Sequence, residues 1–454
     1  MAGDIGVQEQ VIILESPRAK IADAAASSAR SEGARIIHRY GPSVMIGEIP
    51  DDRVEQVRAA VRNARVTAAP HQLPAEATAG LDPVGALGLA AFSLRQSTEY
   101  IAAKKQRPHK DAHWDAGGTL LPPDPPPHLQ HLTAFAAAAP GTHAAVGNTS
   151  QQMTGNISVG IIIVSGPTAD LQFSAQETQK VVAEVQNGLG WHAAQSPAAK
   201  IIWTYDIHSI QVNVAPGGAG DKEALWRDPA MAQLGYQANM QGVYDYINHI
   251  RTQYATQWTY VGFFTKYPLD WFAYASIGGP RLVMQYSNDG WGPDNIDRVF
   301  AHETGHIFQA PDEYSASNCN CAGSWGIYNK PNANCQLCAP GGGVDCIMRS
   351  NSWAYCPSTP WHYGFPLVGI SSALGAITVD NGRPYVFVKG SDGNMWVDWW
   401  SGSAWKWGFL GTPGGVNIAG VMGTINVDAG RPYSFVKGSD GNLWVNWWSG
   451  SAWN

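Results

Sequence analysis

Cysteine is missing before Cys319, and all six fall between there and Cys356. Nothing N-terminal to that segment can offer a thiolate, whether as nucleophile, metal ligand or plug for a metal centre. Charge is sparse, with 14% Asp, Glu, Lys and Arg and a net −7, and no basic cluster stands out. Nucleic acid is therefore not an expected partner. No run of about 20 apolar residues occurs, so no membrane span is expected. Met1-Ala2-Gly3-Asp4 opens no charged-then-apolar leader, so no signal peptide is visible in this chain.

What is present is weighted toward apolar and aromatic residues: 44% hydrophobic over 454 residues, with 19 Trp. A chain of that length buries large cores and divides into about three domains. Six cysteines crowded into residues 319–356, among Gly, Asn and Ser, predict three disulfides. Disulfides imply an oxidising compartment, hence a secreted, extracellular protein. Cys319-Asn320-Cys321 with Cys335-Gln336-Leu337-Cys338 also has the form of two knuckles of a structural zinc site, the competing reading. Sequence leaves the pairing open.

The chain is organised around residues 301–314, AHETGHIFQAPDEY. Ile296, Val299, Phe300 and Ile307 recur at helical spacing, and Asp294 or Asn295 is the expected cap. His302 and His306 then share one helix face, a turn apart. Two imidazoles so placed suit one tetrahedral zinc, and Glu303 can reach a water beside it without being a ligand. Pro311 forbids a long continuation, so the chain turns after Phe308 and can bring Asp312 back to the metal.

This segment resembles the metzincins, zinc proteases with HExxHxxGxxH/D, and matches them at His302, Glu303, His306 and Asp312. It departs at Gln309, where that family has Gly. A positive φ there costs a non-glycine residue roughly 1 kcal/mol. Glu313 is the alternative third ligand. Cys346-Ile347-Met348 is similar to the metzincin Met-turn, which implies that Met348 lies beneath the zinc. Ser350 stands where some metzincins carry a tyrosine, so no tyrosine ligand is expected.

Residues 9–69 read as an α/β module in the order β-α-β-β-α-β, which suits a ferredoxin-like fold. The pattern resembles the inhibitory propeptides of subtilisin-type proteases, which implies a pro-segment that aids folding or covers the cleft; a docking module is the alternative. Residues 70–150 turn to Ala and Pro, with Pro122-Pro123-Asp124-Pro125-Pro126-Pro127, and read as a linker or a pro-region laid across the next domain. His109, His113, His128, His131 and His143 lie there without ligand-like spacing.

Residues 151–365 are the expected zinc protease domain. Strands are expected at 157–165, 201–205, 210–214, 258–265 and 281–286, and a helix over 240–254. Ser174 and Glu177 form a capping box ahead of a further amphipathic helix. The succession is the order a metzincin catalytic domain needs. The resemblance also implies that the last strand lies at the sheet edge and pairs with an extended substrate.

After Pro366 the chain repeats itself. RPYVFVKGSDGN from Arg383 returns 48 residues later as RPYSFVKGSDGN from Arg431. Trp396, Trp399 and Trp400 recur as Trp444, Trp447 and Trp448. That period points to propeller blades. The copies resemble propeller lectins, which implies carbohydrate binding at these six Trp, with blade-to-blade packing as the alternative. The second copy is incomplete, and fewer than two blades cannot close a ring of about four to eight. The repeats are therefore completed by an oligomer or by a longer chain.

The expected architecture is multidomain: an α/β ferredoxin-like N-terminal module, an α+β metzincin-like catalytic domain and all-β propeller-blade repeats over 366–454. The expected protein is a secreted Zn2+-dependent endopeptidase acting on protein or peptide substrates. Zinc sits on His302, His306 and Asp312, Glu303 activates the zinc-bound water, and glycans are a further partner. The competing class is a lectin or adhesin whose metal domain is structural or inactive.

Overall fold

Val11, Ile13, Ile37 and Ile46 pack on one side of a sheet, and Ile12, Leu14, Ile36 and Met45 on the other, so both faces need cover. The strands are β1 (Val7–Leu14), β2 (Arg35–Tyr40), β3 (Val44–Pro50) and β4 (Ala64–Thr67). Helices α1 (Ala19–Ser31) and α2 (Val54–Ala60) cover one face with Ala22, Ala26, Ala29 and Val57. The computed structural model describes residues 7–15, 19–72, 76, 78, 80–115, 149–217, 221–365, 370–379, 382–390, 395–400, 405–411, 416, 418–428 and 430–449.

Helices α3 (Pro83–Arg95) and α4 (Thr98–Gln106) follow, then β5 (Asn156–Ser165), α5 (Ala175–Gln195), β6 (Ile202–Gln211), α6 (Lys222–Gln233) and α7 (Met240–Gln253). Next come β7 (Trp258–Thr265), β8 (Ala273–Ala275), β9 (Arg281–Gln285), α8 (Ile296–Ile307) and α9 (Thr359–His362). One nine-stranded sheet results, in the order β4-β1-β3-β2-β6-β5-β7-β9-β8. The segment expected as a separate module, 9–69, thus shares a sheet with the domain expected to follow it. Parallel pairing of β2 with β6, His38 opposite Trp203, closes an edge that would otherwise stand open.

Residues 70–150 are more than a linker where they are described. Asp82 and Ser97 cap α3 and α4. Gln186 of α5 donates to Gly88 O of α3 (2.8 Å), and Lys104 of α4 pairs with the buried Glu184 and with Asp297 of α8. The Pro-rich run 122–127 and His128, His131 and His143 lie outside the described residues.

Other expectations need correction. The two strands expected at 201–205 and 210–214 are one, because Ile202–Gln211 pairs without a break with β5. The sheet edge is β8, a short strand that folds antiparallel onto β9, so β9 itself is interior. Neither Asp294 nor Asn295 caps α8 with its side chain. Asp294 is taken by Lys180, and Asn295 donates to Pro108 O and Trp291 O. Two disulfides form rather than three, Cys319–Cys335 and Cys321–Cys338, which leaves no pair of knuckles for zinc. Cys346 and Cys356 are buried thiols engaged with Thr359 and Glu313.

Residues 366–454 form a second unit. Strands β10 (Ile370–Val379), β11 (Arg383–Gly390), β12 (Met395–Trp400) and β13 (Trp405–Gly411) make one antiparallel sheet. A second contains β14 (Ile418–Asp428), β15 (Arg431–Gly438) and β16 (Leu443–Trp447). Phe387, Met395, Val397, Ile418 and Val436 form their shared core. Two sheets cannot close a ring, and no propeller is present among the described residues.

Candidate metal centre

Every residue of α8 is buried, so both imidazoles are held rigidly. The helix ends in a Schellman arrangement: Ala310 N–H donates to Gly305 O (3.0 Å) and Gln309 N–H to His306 O (2.9 Å). Gln309 takes φ 73°. The left-handed turn is therefore made with a residue that disfavours it. Replacing Gln309 with Gly is expected to stabilise the fold by up to about 1 kcal/mol, read as a higher denaturant midpoint; an unchanged or lower midpoint contradicts this.

That turn does two things. It returns Asp312 to the helix, and it aims Ala310 O at His306 Nδ1 (2.8 Å). Ile347 O is likewise 2.9 Å from His302 Nδ1. A carbonyl can only accept, so these partners assign each imidazole proton to Nδ1 and leave a lone pair on each Nε2. The two Nε2 atoms are 3.1 Å apart, and each is 3.2 Å from Asp312 Oδ1. No well-formed hydrogen bond reaches that buried oxygen.

Three lone pairs converging this closely repel one another unless a cation lies among them. Ligands about 2.0–2.1 Å from a tetrahedral zinc stand about 3.3 Å apart, so the triangle fits one face of such a site. Without a metal, a proton takes its place. Burial pulls the His306 imidazole down, but Asp312 beside it lifts it to about 9. Burial likewise pushes the Asp312 carboxyl up, and His306 and His302 more than reverse this, holding it well below the usual carboxylate range.

Glu303 is 4% exposed, and its Oε2 is buried with no hydrogen-bond partner. Burial raises its carboxyl, against the pull of His302 and His306. Glu313, the alternative ligand, faces away: its carboxylate accepts from Asn334 Nδ2 (2.7 Å) and Cys356 Sγ (3.0 Å). Asp312 and Tyr314 lie beside His302, whereas Glu313 between them turns to Asn334 and Cys356.

The residues 346–349 form a tight turn closed by Arg349 N–H to Cys346 O (2.9 Å). It supplies the Ile347 carbonyl and lays Met348 against α8. A Cβ on Gly305 would stand 2.5 Å from Met348 Sδ and 2.6 Å from Tyr363 Oη, so a larger residue there must displace one of these buried side chains. Gly305→Ala is expected to cost about 1–3 kcal/mol, read as a lower denaturant midpoint. A wild-type midpoint in the variant would show that the contact is unimportant.

Tyr314, Trp114, Phe272 and Ala273 were not expected at the site from the sequence. Tyr314 lines the pocket beside His302 and Glu303, and the two-residue alternation after Asp312 could have found it. Trp114 has no local signal. It comes from the stretch expected to be linker, yet its ring centroid is 5.2 Å from that of His302 and its Nε1–H donates to Ile347 O (2.7 Å). Phe272, Ala273 and Val299 complete the pocket, so the edge strand β8, which begins at Ala273, borders it.

In the second unit, Trp399 stacks on Tyr385 (6.2 Å) and Trp447 on Tyr433 (5.7 Å). Trp444 Nε1–H donates to Asp440 (3.1 Å). These three and the other repeat Trp, Trp396, Trp400 and Trp448, are all half-buried.

No protein-family model and no curated protein matches the sequence. Among solved structures, the chain is similar to metalloproteinase-II from Bacteroides fragilis, with a TM-score of 0.20 and 13% identity over 40% of this chain and 51% of that one. The chain thus spans about half the length of that protein. A likeness this slight carries no argument about function.

Proposed function

We propose that the chain is a zinc-dependent endopeptidase of the metzincin kind, with His302, His306 and Asp312 as the metal ligands. The convergence of two Nε2 lone pairs and Asp312 Oδ1 at 3.1–3.2 Å is the observation that carries this reading. Zinc bound there supplies a Lewis acid, which acidifies water and polarises a carbonyl oxygen. Glu303, buried beside it and without a partner, takes the proton of the attacking water and passes it to the departing amine. The edge strand β8 offers unpaired backbone groups to an extended peptide, and Trp114, Phe272 and Tyr314 narrow the space beside the scissile bond. The two disulfides favour export to an oxidising compartment.

The test is metal analysis and cleavage in one preparation of the full chain. Zinc content should fall with a strong chelator, digestion of casein should stop, and added zinc should restore both. Cleavage that survives complete metal removal overturns the proposal.

A second reading, carbohydrate binding by residues 366–454, is supported by the six Trp being half-buried at equivalent places in both copies. Rings left partly open can stack on sugar faces. Glycan-array binding by the full chain that is lost on Trp400→Ala and Trp448→Ala together would support it, and an array without binders would remove it.

A further inference from the structure

Behind the first centre lies a second cluster that the proposed hydrolysis does not use. Glu313 follows the ligand Asp312, Cys346 opens the turn bearing Ile347 and Met348, and Cys356 and Thr359 come from the segment leading into α9. All four side chains are buried, at no more than 1% exposure. Glu313 Oε1 is 3.0 Å from Cys356 Sγ and 3.3 Å from Thr359 Oγ1, which is itself 3.1 Å from Cys346 Sγ and 3.2 Å from Cys356 Sγ. The carboxylate oxygen and both sulfurs lie within 4.8 Å of one another. Ser358 N–H points at Cys356 Sγ (3.3 Å), as backbone amides do toward a thiolate, and Asn334 fixes the other carboxylate oxygen.

From this geometry we propose that Glu313, Cys346 and Cys356 bind a second, structural metal ion of the borderline or soft divalent class that thiolates select, zinc being the type, with Thr359 Oγ1 at the fourth corner. The four cysteines nearby are paired as disulfides, whereas these two are not. A third disulfide would use up both sulfurs and leave Glu313 fully buried with no Lys, Arg or His paired to it among the described residues. A dication meets the carboxylate and both thiolates at once. It would also tie together three segments: the one carrying Asp312, the turn holding His302, and the start of α9. The proposal stands whether or not the first centre cleaves peptides.

The test uses the purified full chain loaded with Co2+. The first centre has no sulfur ligand, so a thiolate-to-cobalt charge-transfer band in the near ultraviolet reports the second alone. The band is expected, together with about two metal ions per chain and two free thiols once the protein is denatured with chelator. Cys356→Ser should abolish the band and lower the metal content to about one. Two outcomes would each overturn the proposal: no band, or an intact mass showing a third disulfide; about one metal per chain with the band intact would count against the first centre only. These read the wild-type chain, so failure of the variant to fold leaves the question answerable. Loss of cleavage with the band intact would count against the first centre's assignment only.

Discussion

Glu303→Gln is expected to keep zinc and lose peptide hydrolysis by about 10²–10⁴-fold. Gln preserves the shape of the side chain and removes its capacity to take a proton. Because Glu303 is not among the three converging ligands, the triangle of His302, His306 and Asp312 is left intact. Its Oε2 has no partner to lose, so the fold should be no less stable, and burial of a neutral amide in place of a carboxylate can raise the denaturant midpoint slightly. Zinc content, midpoint and casein digestion measured side by side separate chemistry from folding. A variant that digests casein at the wild-type rate removes Glu303 from the mechanism. One that has lost zinc shows that its carboxylate was structural.

How far the site could be read in advance depends on the range of the forces that build it. His302, Glu303 and His306 are related by one helical turn, and a helix is legible in a dozen residues. Asp312 was within reach because Pro311 limits what the chain can do next. Gln309 shows that a local rule can be violated without losing the geometry: the turn persists at φ 73° because the Ala310 and Asp312 contacts outweigh about 1 kcal/mol of backbone preference. Trp114 was illegible, since it reaches Ile347 O across a separation of 233 residues. The joining of the 9–69 segment to the rest was illegible for the same reason. Which open edge β2 meets depends on how α3 and α5 pack, and nothing in the strand's own alternation encodes a parallel partner at Trp203. Cysteine parity misled in its own way, because counting thiols cannot show that two of them face a carboxylate.

Glu223→Gln is expected to destabilise the fold by about 3–5 kcal/mol, the largest single effect outside the chemistry. Glu223 lies in the first turn of α6 and is 1% exposed. Arg281 Nε and Nη2 each donate to it at 2.8 Å, Arg227 Nη1 at 2.6 Å and Tyr274 Oη at 2.9 Å. Burial alone would push this carboxyl up, but Arg281 and then Arg227 overcome it and hold it at about 2, against 4.5 ordinarily. The folded-state value is the lower one, so the stabilisation is present above about 4.5 and is lost as the pH falls toward 2. Gln cannot compensate two buried guanidinium groups, so the variant should also lose this part of the acid dependence. Tyr274 lies on β8 and Arg281 begins β9, and Arg281 also bonds Ser276 between them. The network therefore pins the strand that borders the metal pocket. Urea titrations at pH 7 and pH 3 decide the matter: the gap between wild type and variant should narrow at the lower pH. A gap that stays constant or widens would mean that Glu223 is not the charge holding this edge in place.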